Sequence, residues 1–388
     1  MALTIGTNVI STDDILANEK VVDMQNRFRL LDVDESQFMT ILNKLPSQPA
    51  IREKVEWLED QYFPILSSLA ATAGTADTSL TVATGEGDYF RAGDLVRIAQ
   101  TGEVFEVSSV STDTLTVVRS IGSVGAATAA SASSELLIVG NVAAQGADIG
   151  TLKVTQRTTN YNYTQIVRHP FGFTGTQAEI ETYGPGDPAN EIAKKAVEHK
   201  RALENLFLLG GRDYNSSSNK GWVGGVVQEF ISTNITSAVG TLSLTGLDNA
   251  LVDIFQHGTM NKVIFAAPVA AGALSQLLAN NWVRARPEDE VYGAKVSAFI
   301  NGAYGARVPV VTKRNWGQES TSAQGRGGWM LVLDMAYIKK RPMRNRNTML
   351  LKNRQGNGVD AVEHEFLTEA SIEVAVEKAH GLLKGITG

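Results

Sequence analysis

The stretch at residues 176–211, TQAEIETYGPGDPANEIAKKAVEHKRALENLFLLGG, constrains this chain most, because it holds the clearest helix start and stop signals in the sequence. Thr176 and Glu179 have the T-x-x-E spacing of a capping box, in which a hydroxyl and a carboxylate satisfy each other's unpaired backbone N–H groups. Gly184-Pro185-Gly186 interrupts that short helix. Asp187-Pro188 restarts it, with an N-cap acceptor and a proline at the first helical position, where no N–H is missed. Ile192, Ala196, Leu203, Leu206 and Phe207 then recur at helical spacing, and Gly210-Gly211 offers the left-handed residue that ends helices. The result is a rod of roughly 30 Å. Its polar face is laced with both signs, Glu191 reaching Lys194 and Lys195, Glu198 reaching Arg201, and Lys200 reaching Glu204. Such a face suits solvent or a neighbouring subunit, and the apolar line suits a sheet.

At 388 residues the chain has room for roughly two or three domains and a sizeable core. A net charge of −6 excludes a surface wrapped throughout in nucleic acid, which needs clustered Lys and Arg to displace counterions; local basic patches stay open. Without cysteine there is no disulfide framework, thiolate metal site or cysteine nucleophile. No run approaches the ~20 apolar residues of a membrane span, so the cytoplasm is the expected setting.

Residues 1–33 carry few packing signals and read as an extended arm. Residues 34–45 predict a short helix, with Asp34 as N-cap, Phe38, Ile41, Leu42 and Leu45 on one face, and Pro46 as its stop. Residues 51–63 fit a helix through Ile51, Val55 and Leu58 or a strand through Val55 and Trp57, and both stay open. From residue 73 to 140 the composition turns to Thr, Val, Ser, Gly and Ala in short alternating runs separated by turn signals at Gly85, Gly93, Gly102 and Asp113. This predicts an inserted small domain, an antiparallel barrel or sandwich, with a flexible loop at 125–134. Residues 150–173, rich in Thr, Tyr and Asn with period-two alternation, predict a projecting hairpin arm that pairs elsewhere. Beyond the long helix, Asp248 caps a helix that stops at Gly258, and strands at 262–267, 295–300 and 307–312 make an α/β unit over 246–328. An exposed, mobile loop is expected at 317–328. Strands follow at 329–338, 348–351 and 368–378, the last with the cleanest alternation.

Signals of chemistry are sparse. His169, His199, His257, His364 and His380 have no metal-ligand spacing. In Glu363-His364-Glu365 successive side chains of a strand point to opposite faces, so a solvated strand is expected there rather than a metal site. No G-x-S-x-G elbow exists. Asp334 is a strand-end acid with nothing nearby in sequence to partner it, and it reads as structural. Gly325-Arg326-Gly327-Gly328 lacks the Lys-Ser/Thr of a phosphate loop. Lys339, Lys340, Arg341, Arg344, Arg346, Lys352 and Arg354 form a basic cluster with no acid before Asp360. It reads either as a contact for phosphate or an acidic neighbouring subunit, or as cations guarding an edge strand. No catalytic, cofactor or metal site is assigned, and an enzyme is not expected. An arm, a projecting hairpin and a helix charged with both signs make sense together if the partner is another copy of the same chain.

This order of parts resembles the major capsid proteins of tailed bacteriophages with the Hong Kong 97 fold. The resemblance is carried by the hairpin YNYTQI from Tyr161, the approach FGFTGTQ from Phe171, the helix from Asp187 to Leu209, the strand-helix pair KVIFAAPVAAGALSQLL, and the late strand WMLVLDMAYIKKRPMR. It implies an α+β fold: an N-terminal arm over 1–57, an extended loop over 58–72 and 141–175, an inserted small all-β domain over 73–140, a spine helix over 176–211, a peripheral domain over 212–245 and 329–388, and an axial domain over 246–328. It implies a head subunit, assembled in the host cytoplasm, that forms hexamers and pentamers of an icosahedral virion shell around double-stranded DNA. Implied partners are further copies, a separate scaffolding protein, a portal, DNA contacted non-specifically and, in some shells, a decoration protein; no membrane or cofactor is implied. The short N-terminal stretch leaves no room for a removable scaffolding segment, so either a separate scaffolding protein or a processed chain is expected. Intersubunit contacts are expected at Arg157, Tyr161, Tyr163, Arg168, Lys339, Lys340, Arg341, Arg344 and Arg346. Two alternatives stay open: an encapsulin-like shell holding a protein cargo, and a carbohydrate-binding or hydrolytic protein using residues 73–140.

Overall fold

The computed structural model describes residues 36–387 except 123–126, 148–149, 151, 181–186, 238, 278–281, 284–289, 292–293, 296, 301–304 and 306. The arm expected at residues 1–33 lies outside the described residues. The chain divides into two units, one of Met1–Trp57 with Asn160–Gly388 and one of Leu58–Thr159.

Helix α1 (Gln37–Lys44) buries Phe38, Met39, Ile41 and Leu42. It starts later than expected, with Ser36 rather than Asp34 at the N-cap, and the Ser36 side chain makes no capping bond. The open segment after it is a strand, β1 (Lys54–Glu59), because Val55 and Trp57 alternate into the core and the Trp57 ring meets Phe230 at 5.7 Å.

In the second unit β2 (Leu66–Ser68), β3 (Ser79–Thr81), β4 (Asp94–Ile98), β5 (Val104–Ser111), β6 (Thr114–Val118) and β7 (Glu135–Asn141) form one antiparallel sheet in the order β2-β7-β4-β5-β6-β3. The sheet therefore takes in Leu66–Ser68, which sequence grouped with the extended loop, as the outer partner of β7. Alternate residues such as Leu80, Val96, Ile98, Phe105, Val107, Leu115 and Val117 make its own apolar core. Fully buried Glu103 takes both ends of the Arg119 guanidinium at 2.6 Å, and Arg119 also holds the carbonyls of Gly74 and Thr128. Burial pushes Glu103 up, but Arg119 and the N–H groups of Thr128 and Ser120 hold its carboxyl below the usual range.

The chain returns through β8 (Thr158–Tyr163), which pairs with β1, and β9 (Gln165–Thr174). Helix α2 (Gly175–Glu179) is capped by Thr174, whose hydroxyl accepts from the Gln177 N–H, rather than by the Thr176–Glu179 box. Helix α3 (Asp187–Leu209) has the bounds its sequence predicts. Its buried line is His199, Leu203, Glu204, Phe207 and Leu208, whereas Ile192 is half-buried and Ala196 exposed. The glycines at its end act differently from expectation. Neither Gly210 nor Gly211 is left-handed; Gly210 instead packs so closely that a Cβ would stand 2.3 Å from the Val223 carbonyl oxygen.

A short hairpin, β10 (Asp213–Asn215) with β11 (Lys220–Trp222), leads to a π-helical turn at Val226–Phe230. The main sheet then assembles from β12 (Ile235–Thr236), β13 (Lys262–Ala266), β14 (Trp282–Val283), β17 (Ser297–Ile300), β18 (Arg307–Thr312), β19 (Met330–Asp334) and β23 (Gly381–Leu383), in the order β12-β23-β19-β13-β18-β17-β14. Between them β15 (Glu290–Val291) pairs with β16 (Ala294–Lys295). Helices α4 (Leu244–Phe255) and α5 (Pro268–Leu277) add Leu247, Leu251, Ile254, Ala270 and Leu274 to the core. The cap of α4 is Ser243, not Asp248. Sequence grouped β19 and β23 with a peripheral region; both lie in the same sheet as β13 and β18. Nor is 317–328 a loose loop. It runs from the end of one 3-10 turn (Arg314–Gln318) to a second (Arg326–Gly328), pinned by Arg326 on Glu319, with Gly327 and Gly328 buried against neighbouring backbone.

Two buried polar networks lock this unit. Glu204 of α3 pairs with Lys313 just after β18, both side chains being essentially inaccessible, and its second oxygen accepts the Met39 N–H at 3.1 Å. Met39 is the third residue of α1, so a carboxylate 165 positions away fills the capping role that Ser36 leaves open. Sequence pairs Glu204 with Lys200 on the polar face; Lys200 instead donates to Thr40. The second network centres on Asp334, which has the partners its sequence neighbourhood lacks: Lys262 at 3.2 Å and the Thr259 N–H and hydroxyl at 2.6 and 2.9 Å. Lys262 also donates to the carbonyls of His257 and Ala379, while burial pulls its pKa down. Gly258, left-handed at φ +77°, is required here, since a Cβ would lie 2.6 Å from the Asp334 carboxylate. The Asp334 N–H donates to His380 Nδ1 at 3.1 Å and His380 Nε2 meets the Ala375 carbonyl, which defines a neutral Nε2–H ring.

Replacing Glu204 by Gln keeps the cap on Met39 but strands a buried ammonium, and is expected to cost about 3–5 kcal/mol in urea unfolding. The pair Glu204→Gln with Lys313→Met should cost less than Glu204→Gln alone; equal or additive losses would remove the pairing argument. A second expectation concerns pH. Burial pulls His380 down to about 4, so between about 4 and 6.5 the unfolded chain binds a proton that the native chain refuses. Its contribution is fully present above 6.5 and is lost as pH falls through that window, by up to about 3 kcal/mol. His380→Gln should flatten the stability curve there relative to the parent, read by denaturant titration at each pH.

Candidate assembly face

The third sheet is built on β22 (Ala361–Val374), which takes partners on both edges. Along one edge run β20 (Ile338–Pro342) and β21 (Met349–Leu351), with Pro342 opposite Ala370 and Leu351 opposite Glu365. Along the other runs β9, with Gln165 opposite Ala370 and Pro170 opposite Glu365. The expected projecting hairpin is thus corrected: β9 pairs through all its ten residues with its own chain, because Val167, His169, Phe171 and Phe173 need the cover that β22 supplies.

Alternation gives the sheet two unlike faces. Even-numbered residues of β22 and odd-numbered residues of β9 face α3. Phe171 stacks on Phe366 at 5.9 Å, and His199 of α3 stacks on Phe366 and bonds Thr368 at 2.7 Å. On the other face Glu363, Glu365, Glu369 and Glu373 line one strand, and the last three are met by arginines, Glu365 from both sides. Arg168 of β9 bonds Glu365 at 2.6–2.8 Å and Arg354 approaches it at 3.6 Å. Arg346 reaches Glu369 at 2.5 Å, and Arg341 binds Glu373. A groove of about 840 Å³ opens beside this ladder, bounded by Arg168, Phe171, Phe173, Arg354 and Glu365.

The nine residues expected at subunit contacts fall into five groups. Arg168, Arg341 and Arg346 are clamps on β22, and the acids absent from their own neighbourhood come from a strand that sequence distance hides. Lys340 is 4% exposed, turned inward onto Asn43 of α1, with its pKa lowered by burial; its ammonium is withdrawn from any neighbour, which corrects that expectation. Lys339 and exposed Arg344, like Lys352, have no carboxylate partner among the described residues. Arg157 belongs to the other unit, where it approaches Asp60 at 3.3 Å with most of its side chain in water. Tyr161 lies under Arg212 and Lys54 at 4.4 and 4.5 Å, and Tyr163 stacks on Tyr214 at 5.2 Å.

Glu365 and His364 are 5% and 9% exposed, so Glu363-His364-Glu365 is not the solvated strand expected. Among the described residues no group of three or more His, Asp or Glu is arranged to hold a metal, and no helix is long and apolar enough to cross a membrane. What sequence reading missed is the ladder itself. Its signal is present, in the even offsets that put Glu363, Glu365, Glu369 and Glu373 on one face of an alternating strand.

Comparison with known proteins places this geometry. No curated protein matches the chain. Among solved structures, the capsid of a native GTA particle matches with a TM-score of 0.51 at 10% identity, over 98% of this chain and 99% of that one. The capsid of Myoviridae phage XM1 covers 98% of this chain and 100% of its own at 10% identity and a TM-score of 0.48. The holo-SrpI encapsulin complex from Synechococcus elongatus PCC 7942 covers 60% of this chain and 78% of its own at 12% identity and a TM-score of 0.42. The GTA likeness shows the capsid fold. The family model for the SU10 major capsid protein matches residues 4–387, nearly the whole chain. A sheet clamped from both edges and a long helix seated on it are therefore parts of a shell-forming structural subunit of a phage virion, and the chain belongs to the SU10 major capsid protein family.

Proposed function

We propose that this subunit builds an icosahedral shell of hexamers and pentamers around double-stranded DNA. The observation that carries the reading is the large apolar surface left in water on extended segments of the second unit: Tyr62 is 98% exposed, Leu152 84% and Val154 85%, with Leu58 and Ile65 beside them in sequence. Side chains of that size exposed in strings mark contacts between molecules, and in a shell-forming family the abundant partner is another copy. Residues 73–140 act within such contacts rather than as a carbohydrate-binding or hydrolytic module. Lys339 and Arg344 meet acidic neighbours, with Tyr161 and Tyr163 supplying stacking area. A separate scaffolding protein, a portal and non-specifically bound DNA complete the particle, with a decoration protein as an optional addition.

Static light scattering and negative-stain microscopy of the expressed chain are expected to show shells or capsomers, and purified particles are expected to hold DNA; a protein cargo would instead favour an encapsulin-like compartment. Persistent monomers at every salt concentration would overturn the reading. Lys339→Glu with Arg344→Glu should raise the concentration needed for assembly about tenfold and make it more salt-sensitive, while subunit unfolding stays within about 0.5 kcal/mol. A loss of subunit stability instead would mark these cations as internal.

A further inference from the structure

We propose that His169 and His199 form an acid-operated latch between the N-terminal half of α3 and the β9–β22 ladder. Their Nδ1 atoms stand 2.7 Å apart, with the rings edge-to-face at 4.9 Å. His199 Nε2 is 2.7 Å from the Thr368 hydroxyl, which itself donates to the Thr348 hydroxyl at 2.9 Å. Thr368 has spent its proton on Thr348, so His199 donates from Nε2 and accepts at Nδ1, and His169 donates from Nδ1. All the bonds in this chain run one way, from β9 through α3 to β22 and on to Thr348.

That arrangement tolerates one charge and no more. A protonated His169 still donates to a neutral His199. A proton on His199 must occupy Nδ1, the atom that accepts, and two N–H groups then face each other at 2.7 Å. Nothing offsets the second charge. From β20 the facing group is Lys340, another cation, whose ammonium rests on Asn43 of α1. β22 contributes the Thr368 hydroxyl and the Phe366 ring. Arg168, Glu365 and Glu369 of the same strands lie on the opposite face, and on α3 Lys195 and Glu198 pair with each other. Burial first, then His169 and Lys340, pull His199 down to about 4.

Position makes the contact a latch. His199 is 1% exposed and is the first buried residue among the described side chains of α3; from Asn190 to Glu198 the helix is half-buried or exposed. Below it, Leu203, Glu204 and Phe207 hold the C-terminal half through contacts that do not involve either imidazole. Acid therefore releases the front of the helix and leaves its rear seated.

The test is hydrogen–deuterium exchange on assembled shells at pH 7, 5 and 3.5, corrected for intrinsic rates. Protection over residues 189–199 should fall about tenfold or more relative to residues 203–209 between pH 7 and 3.5. His199→Gln, whose amide accepts from His169 and donates to Thr368 at any pH, should hold protection across the range. His169→Gln, at a half-exposed site, should do the same, because its carbonyl can accept from a protonated His199. Parent shells that keep full protection at pH 3.5, or variants that lose it at the same pH as the parent, would overturn the latch. Should either variant fail to assemble, the same comparison on unassembled subunits decides.

Discussion

One carboxylate joins three parts of the first unit that sequence places far apart. Glu204 sits on the spine helix, neutralises Lys313 at the end of a core strand, and caps α1 through the Met39 N–H. A buried acid alone would be prohibitively costly, and so would a buried ammonium. Each is tolerable only with the other in place, so the helix cannot slide along the body or rotate without exposing both penalties. The interaction thus fixes register more than it adds stability, and the α3 surface that meets the clamped sheet is aligned as a result.

From that alignment follows the division of labour in the β9–β22–β20/β21 sheet. One face is aromatic and holds the helix; the other is a row of acids closed by arginines from both edges. The bidentate Arg168–Glu365 contact ties strands whose partners lie 197 positions apart in sequence. A shell subunit needs such cross-ties, since loads from neighbouring copies pass through its strands rather than around a single closed core.

Much of this was legible in the sequence. The bounds of α3 follow from Asp187-Pro188 and the glycines, and the strands within residues 73–140 from alternation and turn signals. What stayed hidden has a common cause. Local spacing allows caps at Asp34, Thr176 and Asp248 as readily as the Thr174 and Ser243 caps that form, and the Glu204 cap on Met39 comes from 165 positions away. Tyr161 and Tyr163 read as outward-reaching, and the hairpin as an arm, because a polar aromatic strand shows no partner until β1 is laid beside β8 and β22 beside β9. Asp334 reads as unpartnered, and Glu365 as solvated, for the same reason: Lys262, 72 positions away, and Arg168, 197 positions away, are invisible to any local window.

The two faces of β22 are written on alternate residues of a single 14-residue strand. Over evolutionary time such a strand accepts exchange at single positions, Phe for another aromatic or Arg-matched Glu for Asp, far more readily than a change in its length. One residue gained between Leu367 and Thr368 would turn every acid beyond it toward the helix and every helix-facing residue toward the arginines. A residue gained between Gly356 and Val359, in the turn that precedes β22, would be absorbed there. Lineages carrying this fold are thus expected to vary in length around β22 and to leave its count untouched.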